Sequence, residues 1–470
     1  MEKKKKKFKL IDAVLATVCI TLVVESVAPT AAIGNSQYFW WILLIIGFCL
    51  PYGMIAAELG STFPSEGGMY DWVKKAFGKK WAGRVAWNYW INFPLWIASL
   101  AVAVTDVVAG IFDIELSLIW LLVLQLGYTW LVCLLGNLRV SDTKELVNLG
   151  TVFKVVFVLA LGALGIYTFI KTGQSANPIE SVADLFPSLD LAGLSFVSII
   201  IFNFLGFEVV ATFTDDMENP KRDIPKALII GGTLMAIFYI LPATGINISM
   251  SLEDAEVAGI TESFAILLGN LGVSDVVIRA VVIVAGLMFI YTMVANIVSR
   301  SFGVNSVAKY SADDGGLPKI FSKTNKKGVP YMASYMNGIV ATFIIIVGII
   351  LSYVSDEASN LFWTFFSLSL VTLLLSYVPL FLAFLKLRKT DKTKRVYKVP
   401  GGSVMTKVFT FVPLVLLILS IIFTLFIDFT YESIMANLPL ILGVVVSLII
   451  QEILVSRIKD DKKKEKIEAK

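Results

Sequence analysis

The chain contains no histidine in 470 residues. The side chain that titrates most readily near neutral pH is therefore missing, and any proton coupling has to use carboxylates, lysine or tyrosine. Cysteine is nearly absent too. Cys19, Cys49 and Cys133 all fall inside apolar stretches, so neither a disulfide framework nor a Cys/His metal cluster is implied. No Gly-x-x-x-x-Gly-Lys-Ser/Thr stretch exists, which excludes a phosphate-binding loop of the ATPase type and leaves a gradient or a counter-substrate as the energy source. No nucleophile–base motif lies in the apolar stretches, no cofactor is implied, and no nucleic-acid partner is expected. Charge is sparse at 16% of residues, and no Gly/Ser-rich or low-complexity linker divides the chain.

What is abundant is apolar surface. The chain is 57% hydrophobic with a mean hydropathy of +0.80, and about twelve runs of roughly 20 apolar residues follow one another, each long enough to cross a bilayer. The approximate spans are 10–34, 39–62, 84–111, 116–137, 147–171, 193–214, 226–249, 277–303, 332–354, 360–387, 406–428 and 434–456. The expected fold is an all-α polytopic membrane protein whose partner is the lipid bilayer. Met1 to Lys9 is basic and lacks a cleavage site, so it does not read as a removed signal peptide.

The basic residues sort to alternate loops. They precede the first span (Lys3 to Lys7) and follow the second (Lys74, Lys75, Lys79, Lys80), fourth (Arg139, Lys144), sixth (Lys221, Arg222, Lys226), eighth (Arg300, Lys309, Lys319), tenth (Lys386 to Lys398) and twelfth (Lys462 to Lys464). The intervening loops are acidic or short. The positive-inside rule then puts both termini in the cytoplasm of a cell whose cytoplasmic membrane the chain spans. The Lys-rich tails read as topology signals, with lipid binding or regulation as the alternative. The nearest thing to a boundary is Lys386–Gly402, which separates residues 1–388, ten spans, from residues 389–470, a peripheral pair of helices and a basic tail.

Charges inside spans are costly, and this chain has several. Glu25 and Glu208 each lie about 15 residues into their span, or roughly 22 Å of helix. A carboxylate near the middle of a membrane costs roughly 2.5–3.5 kcal/mol on insertion scales, so each is expected to face a partner, a cavity or a ligand. Both spans are also interrupted. The first carries Ser26, Pro29, Thr30 and Gly34 after Glu25, and the sixth carries Asn203 and Gly206 before Glu208. Proline removes a backbone donor, and glycine permits unusual dihedrals. Paired interruptions in corresponding spans are the best sequence pointer to a transporter site. The plainer alternative is a harmless kink at Pro29 and a structural partner for Glu208.

Lys154 is a third intramembrane charge, read either as a fixed cation neutralising Glu25 or nearby carbonyls, or as a group that gains and loses a proton in transport. Asp106 shares a face of the third span with Ser99 but lies near its outer end, where a helix-terminal role is as good a reading as substrate contact. Among the aromatics, Phe202, Phe207 and Tyr291 are the candidates to cover a cation. Trp40 and Trp41 read as an interfacial belt.

Certain stretches then resemble a known family. Gly206-Phe207-Glu208 followed by Asp216-Met217-Glu218-Asn219-Pro220-Lys221-Arg222-Asp223-Ile224-Pro225 is similar to the sixth-helix signature of the amino acid–polyamine–organocation transporters. Ala57-Glu58-Leu59, Phe63-Pro64 and Gly67-Gly68 resemble its second-helix motif, and Asp314-Gly315-Gly316-Leu317-Pro318 with Val329-Pro330 its loop after helix eight. The resemblance covers the whole chain. It implies a five-plus-five inverted repeat with discontinuous helices one and six, a substrate held between them, and alternating access. It also implies a sodium-like role for Lys154 and a proton-sensing or gating role for Glu208. One departure matters. Amino acid carriers of this family use a Gly-Ser-Gly-like break in helix one to hold the substrate carboxylate on bare amides, whereas Val24-Glu25-Ser26-Val27-Ala28-Pro29 has no glycine and a carboxylate of its own. Helix one therefore resembles polyamine and agmatine/putrescine carriers, with the alternative that Glu25 is locked to Lys154 and amino acids still bind.

The expected function is exchange of cationic amines, agmatine for putrescine or a related pair. The expected contacts are Glu25, Ser26, Ala28, Ser99, Phe202, Asn203, Gly206, Phe207, Glu208 and Tyr291, with Lys154, Asp106 and Glu208 as coupling or structural charges. Rival readings are a proton-coupled amino acid symporter or an amino acid/amine antiporter on the same fold, and a transporter-like receptor or channel. The oligomeric state stays open, a homodimer included.

Overall fold

The computed structural model describes residues 21–65, 67–139, 141–187, 197–206, 220–252, 259–354, 361–426 and 429–458. Cys19, Phe207 and Glu208 lie outside them. The described elements are helical. In chain order the helices are α1 (Val27–Ala31), α2 (Gly34–Thr62), α3 (Met69–Phe77), α4 (Lys79–Phe112), α5 (Leu118–Leu135), α6 (Lys144–Thr172), α7 (Val197–Phe204) and α8 (Pro220–Ser249). They continue with α9 (Gly259–Asn270), α10 (Asp275–Asp313), α11 (Tyr331–Val354), α12 (Leu361–Thr390), α13 (Gly402–Leu425), α14 (Tyr431–Ala436) and α15 (Leu438–Ser456).

Ten of the described helices are long and apolar enough to cross a membrane. They coincide with ten of the twelve apolar runs. The first and sixth runs, which lead the two sets of five, appear among the described residues only as short pieces, a 3₁₀ turn with α1 and then α7. This is a multi-pass membrane protein.

Local chemistry explains several irregularities. In α2 the helix widens to a π turn over Ile45–Cys49 just before Pro51. Proline has no N–H to give the carbonyl four residues back, and a widened turn absorbs the mismatch. α4 carries Pro94 in its interior, where the same loss permits a bend. α4 starts after Gly78 (φ +87°) and ends at Asp113 (φ +52°), both in the left-handed region.

α4, α10 and α12 form the densely packed middle, with α6 against α8 beside them. α13 packs on α12, α2 and α7, and α15 on α12 and α4. The last two spans are tied to the rest by more than apolar contact. Trp87 Nε1 donates to the Ser447 carbonyl at 3.1 Å, and Arg84 makes a two-pronged pair with Glu452 at 2.7 Å on each prong.

On the side carrying the basic loops, α3 lies across the end of the bundle. Its Lys74 and Tyr70 both reach Asp314 in the loop after α10, at 2.8 and 2.6 Å. Glu58, near the end of α2, is buried beneath Arg388 and Arg395.

Trp40 and Trp41 are not an interfacial belt. Both are buried, and Trp41 stacks on Tyr239 at 5.3 Å and meets Phe204 edge-on at 5.2 Å. Trp41 packs behind Tyr239, which partners the broken first span, rather than anchoring at the headgroups.

Candidate functional site

The first span is broken where Glu25 sits. Leu22 and Val23 are non-helical, Val24–Ser26 forms a tight 3₁₀ turn, and α1 follows. A break at membrane depth exposes backbone polar groups, each needing a partner. The protein supplies them from other helices. Lys154 Nζ, from α6, donates to the Leu22 carbonyl at 2.8 Å. Tyr239 Oη, from α8, accepts from the Val23 N–H at 3.0 Å and donates to the Thr21 carbonyl at 3.4 Å. Thr30 Oγ1 donates to the Ser26 carbonyl at 2.8 Å.

Glu25 is joined to this scaffold through α10. Asn296 Nδ2 donates to Glu25 Oε1 at 2.8 Å, and Asn296 Oδ1 accepts from Lys154 Nζ at 3.0 Å. One amide thus bridges the carboxylate and the ammonium. Glu25 is 1% exposed, and among the described residues its second oxygen, Oε2, accepts no hydrogen bond.

The break in the sixth span meets the first. Gly206 has φ +110°, and a Cβ there would come within 3.0 Å of Thr21 Cγ2. Only glycine allows both the backbone angle and the approach. One turn earlier Asn203 is buried, with both amide atoms unpartnered among the described residues. Buried polar atoms are normally satisfied, so Glu25 Oε2 and the Asn203 amide mark the hydrogen-bonding capacity this region holds in reserve.

The remaining candidates divide. Ser26 and Ala28 are buried in the broken segment. Phe202 is buried between Trp96 (6.2 Å, edge-on) and Phe366 (5.6 Å, edge-on). Ser99 is buried, but its hydroxyl donates to the Trp96 carbonyl of its own helix at 2.9 Å. Asp106, two turns on, is exposed. Tyr291 does not point toward Glu25. It is half-buried, bonds the Leu146 carbonyl at 3.2 Å and faces Phe153. Five residues separate it from Asn296, about 140° around the helix, so the two cannot share a face.

A cavity of about 270 Å³ opens on the basic side of this region. Asn92 and Trp96 of α4, Leu205 and Gly206, Arg300 of α10 and Tyr377 of α12 line it. Arg300 corrects the sequence reading that placed it in the topology-setting loop after the eighth span. α10 continues to Asp313, and the Arg300 guanidinium lies 4.7 Å from the Trp96 ring and 6.0 Å from that of Phe202.

Sequence reasoning missed Asn296, Tyr239 and Arg300. A lone asparagine or tyrosine in an apolar run carries no signal of what it will meet. The spacing Asn296-x-x-x-Arg300 did place two polar groups on one helix face.

The model of the amino acid permease family matches residues 8–449. Over 461 residues the chain is 44% identical to a protein of Lactococcus lactis subsp. lactis named "Probable agmatine/putrescine antiporter AguD", covering 97% of this chain and 96% of that one. It is 27% identical over 353 residues to "Putrescine transporter PotE" of Escherichia coli K12, covering 74% and 75%. Among solved structures, a manganese transporter mutant of Eremococcus coleocola aligns over 95% of this chain and 94% of that one with a TM-score of 0.51. At 13% identity that likeness concerns the fold alone.

Proposed function

Since this chain belongs to the amino acid permease family of membrane transporters, we propose that it exchanges one cationic amine for another, agmatine for putrescine or a closely related pair, across the cytoplasmic membrane. The observation that carries this reading is Glu25. It is a buried carboxylate in a glycine-free helix break, with one oxygen held by Asn296 and the other accepting nothing among the described residues. Such an oxygen suits an ammonium or guanidinium donor and opposes a substrate carboxylate. The relatives named for agmatine and putrescine support the same chemistry.

In this reading Lys154 is a fixed cation that caps the broken helix and orients Glu25 through Asn296. Ser26, Ala28, Phe202 and Asn203 form the wall around the amine, and Phe207 and Glu208 belong to the same set by sequence. The ten-helix set up to residue 388 carries transport, and the last two spans flank it. The basic face is the cytoplasmic face, with both termini on it. Two copies in one assembly are compatible with this arrangement.

The test uses purified protein in liposomes preloaded with putrescine. Labelled agmatine should enter only when amine is inside, and Glu25→Gln should reduce the rate at least about a hundredfold, the scale of losing a charge-assisted contact of roughly 3 kcal/mol. Uptake of a zwitterionic amino acid that survives Glu25→Gln, with no agmatine or putrescine uptake, would sink the proposal.

A further inference from the structure

Arg300 is a cation placed where the pathway should receive cations. It sits one helical turn, about 6 Å, beyond Asn296 on the same face of α10, and Asn296 holds Glu25. It is close enough to act on Glu25 electrostatically. The cavity on the basic side reaches Arg300 and Trp96, while Glu25, Asn296 and Asn203 do not line it. Arg300 and Trp96 therefore stand between that cavity and the carboxylate.

The manner in which the guanidinium is held is informative. Among the described residues its recorded contacts are aromatic faces, Trp96 and Phe202, and no carboxylate ion pair is made with it. A guanidinium on ring faces is held by the ring quadrupole, an attraction that another alkyl guanidinium or ammonium can also satisfy. The arrangement is therefore exchangeable in a way that an Arg–carboxylate fork is not.

We propose that the Arg300 guanidinium is a built-in stand-in for the cationic end of the substrate, occupying the Trp96–Phe202 faces until an incoming guanidinium or ammonium displaces it. This makes Arg300 a gating and specificity-determining residue at the basic-side approach to Glu25. It rests on the amine-exchange reading. Displacement swings a positive charge into the cavity, so amines whose cation is a good ring ligand compete best. Planar guanidinium stacks on aromatic faces more readily than a strongly hydrated ammonium, so agmatine gains over putrescine.

The experiment is calorimetric titration of agmatine and of putrescine into the purified full-length chain and its variants. Arg300→Gln should tighten agmatine binding by roughly five- to thirtyfold, the range of a cation–π contact at a partly desolvated site. Arg300→Lys, which keeps a competing cation but a poorer ring ligand, should fall between the parent and Arg300→Gln. General repulsion between like charges would also tighten binding in Arg300→Gln, so the cycle with Trp96→Leu decides. Competition for one ring predicts that the Arg300→Gln gain disappears in the Trp96→Leu background, whereas through-space repulsion predicts that it persists. Thermal melting of each variant confirms that it is folded.

Unchanged or weaker agmatine binding in Arg300→Gln overturns the inference and leaves the amine reading intact. So does a gain that survives in the Trp96→Leu background. Loss of arginine binding in Arg300→Gln with agmatine unaffected also overturns it, and makes Arg300 a carboxylate clamp. Agmatine binding seen only in Arg300→Gln supports it. Failure of every variant, parent included, to bind either amine overturns the amine reading itself.

Discussion

Glu25 and Glu58 are equally buried, each 1% exposed, yet they are treated in opposite ways. Glu58 is saturated. Arg395 Nε donates to Oε1 at 2.9 Å, the Val399 N–H donates to Oε2 at 2.7 Å, and Arg388 pairs with the same oxygen. Glu25 takes one side-chain hydrogen bond, from the neutral Asn296 amide to Oε1, and Oε2 accepts nothing among the described residues. Lys154 beside it donates to a backbone carbonyl and an asparagine rather than to the carboxylate's second oxygen. Burial alone therefore does not mark a binding carboxylate. A carboxylate whose acceptors are all filled by the protein joins segments together, and Glu58 ties the end of α2 to the end of α12 and the strand of chain beyond it. One left short of donors is poised for donors that arrive with a ligand.

The sharpest way to break this contrast is to remove the saturated partner. Glu58→Ala leaves two largely buried arginines, 13% and 11% exposed at the side chain, without their shared counter-charge. Deleting one member of a buried pair costs about 3–5 kcal/mol, and the low end applies because both guanidinia touch water and backbone carbonyls. The purified variant should melt well below the parent while retaining its affinity for agmatine. Glu25→Gln should do the reverse, melting close to the parent and losing exchange. A Glu58→Ala protein as stable as the parent would remove the basis for separating the two carboxylates.

Lys154→Met tests the scaffold beneath Glu25. The Leu22 carbonyl and Asn296 Oδ1 both lose their donor, at a cost of about 1–3 kcal/mol for each unsatisfied group. Stability should fall by an amount comparable to that in Glu58→Ala, and exchange should be slow because Asn296 no longer orients Glu25. The parent should move no protons. Liposomes carrying a trapped pH dye should show no signal as agmatine exchanges for putrescine. A pH change that tracks exchange and vanishes in Lys154→Met would make the lysine a proton carrier instead.

The same contrast explains how far the sequence could be read. The helical, many-span architecture is legible because each span must be about 20 apolar residues long and its flanking charges are sorted by side. The break around Glu25 is legible because a carboxylate and a proline interrupt a run that has no other reason to be interrupted. What fills the break is not, because the partners come from α6, α8 and α10, and 132 to 271 positions separate them from it in sequence. Lys154 stood out as a charge among valines, but Asn296 and Tyr239 are ordinary residues until the fold sets them against the open backbone. The placements of Tyr291 and Trp41 were not legible for a related reason. An aromatic in a span tells nothing of its rotational position, and Tyr291 faces α6 while Trp41 is buried behind the break.

The smallest effect concerns Asp314, a second ionised contact on the basic face but one open to water. Burial alone would raise its carboxyl, yet hydrogen bonds from Lys74 and Tyr70 and the charges of Lys74 and Lys79 outweigh it and hold the group below its ordinary value of 3.8. A carboxyl depressed in the folded state binds its proton less readily there than in the unfolded chain. Its contribution is therefore present in full above the unfolded value and is lost as the pH falls through the folded one. The melting temperature of Asp314→Asn should accordingly sit slightly below that of the parent at pH 7, since partly exposed pairs contribute little. The gap should close as the pH drops below about 4. A gap that persists unchanged at low pH would mean that Asp314 acts through packing against Tyr70 rather than through its charge. It would then resemble neither Glu58, which is held by charge, nor Glu25, which is held ready for one.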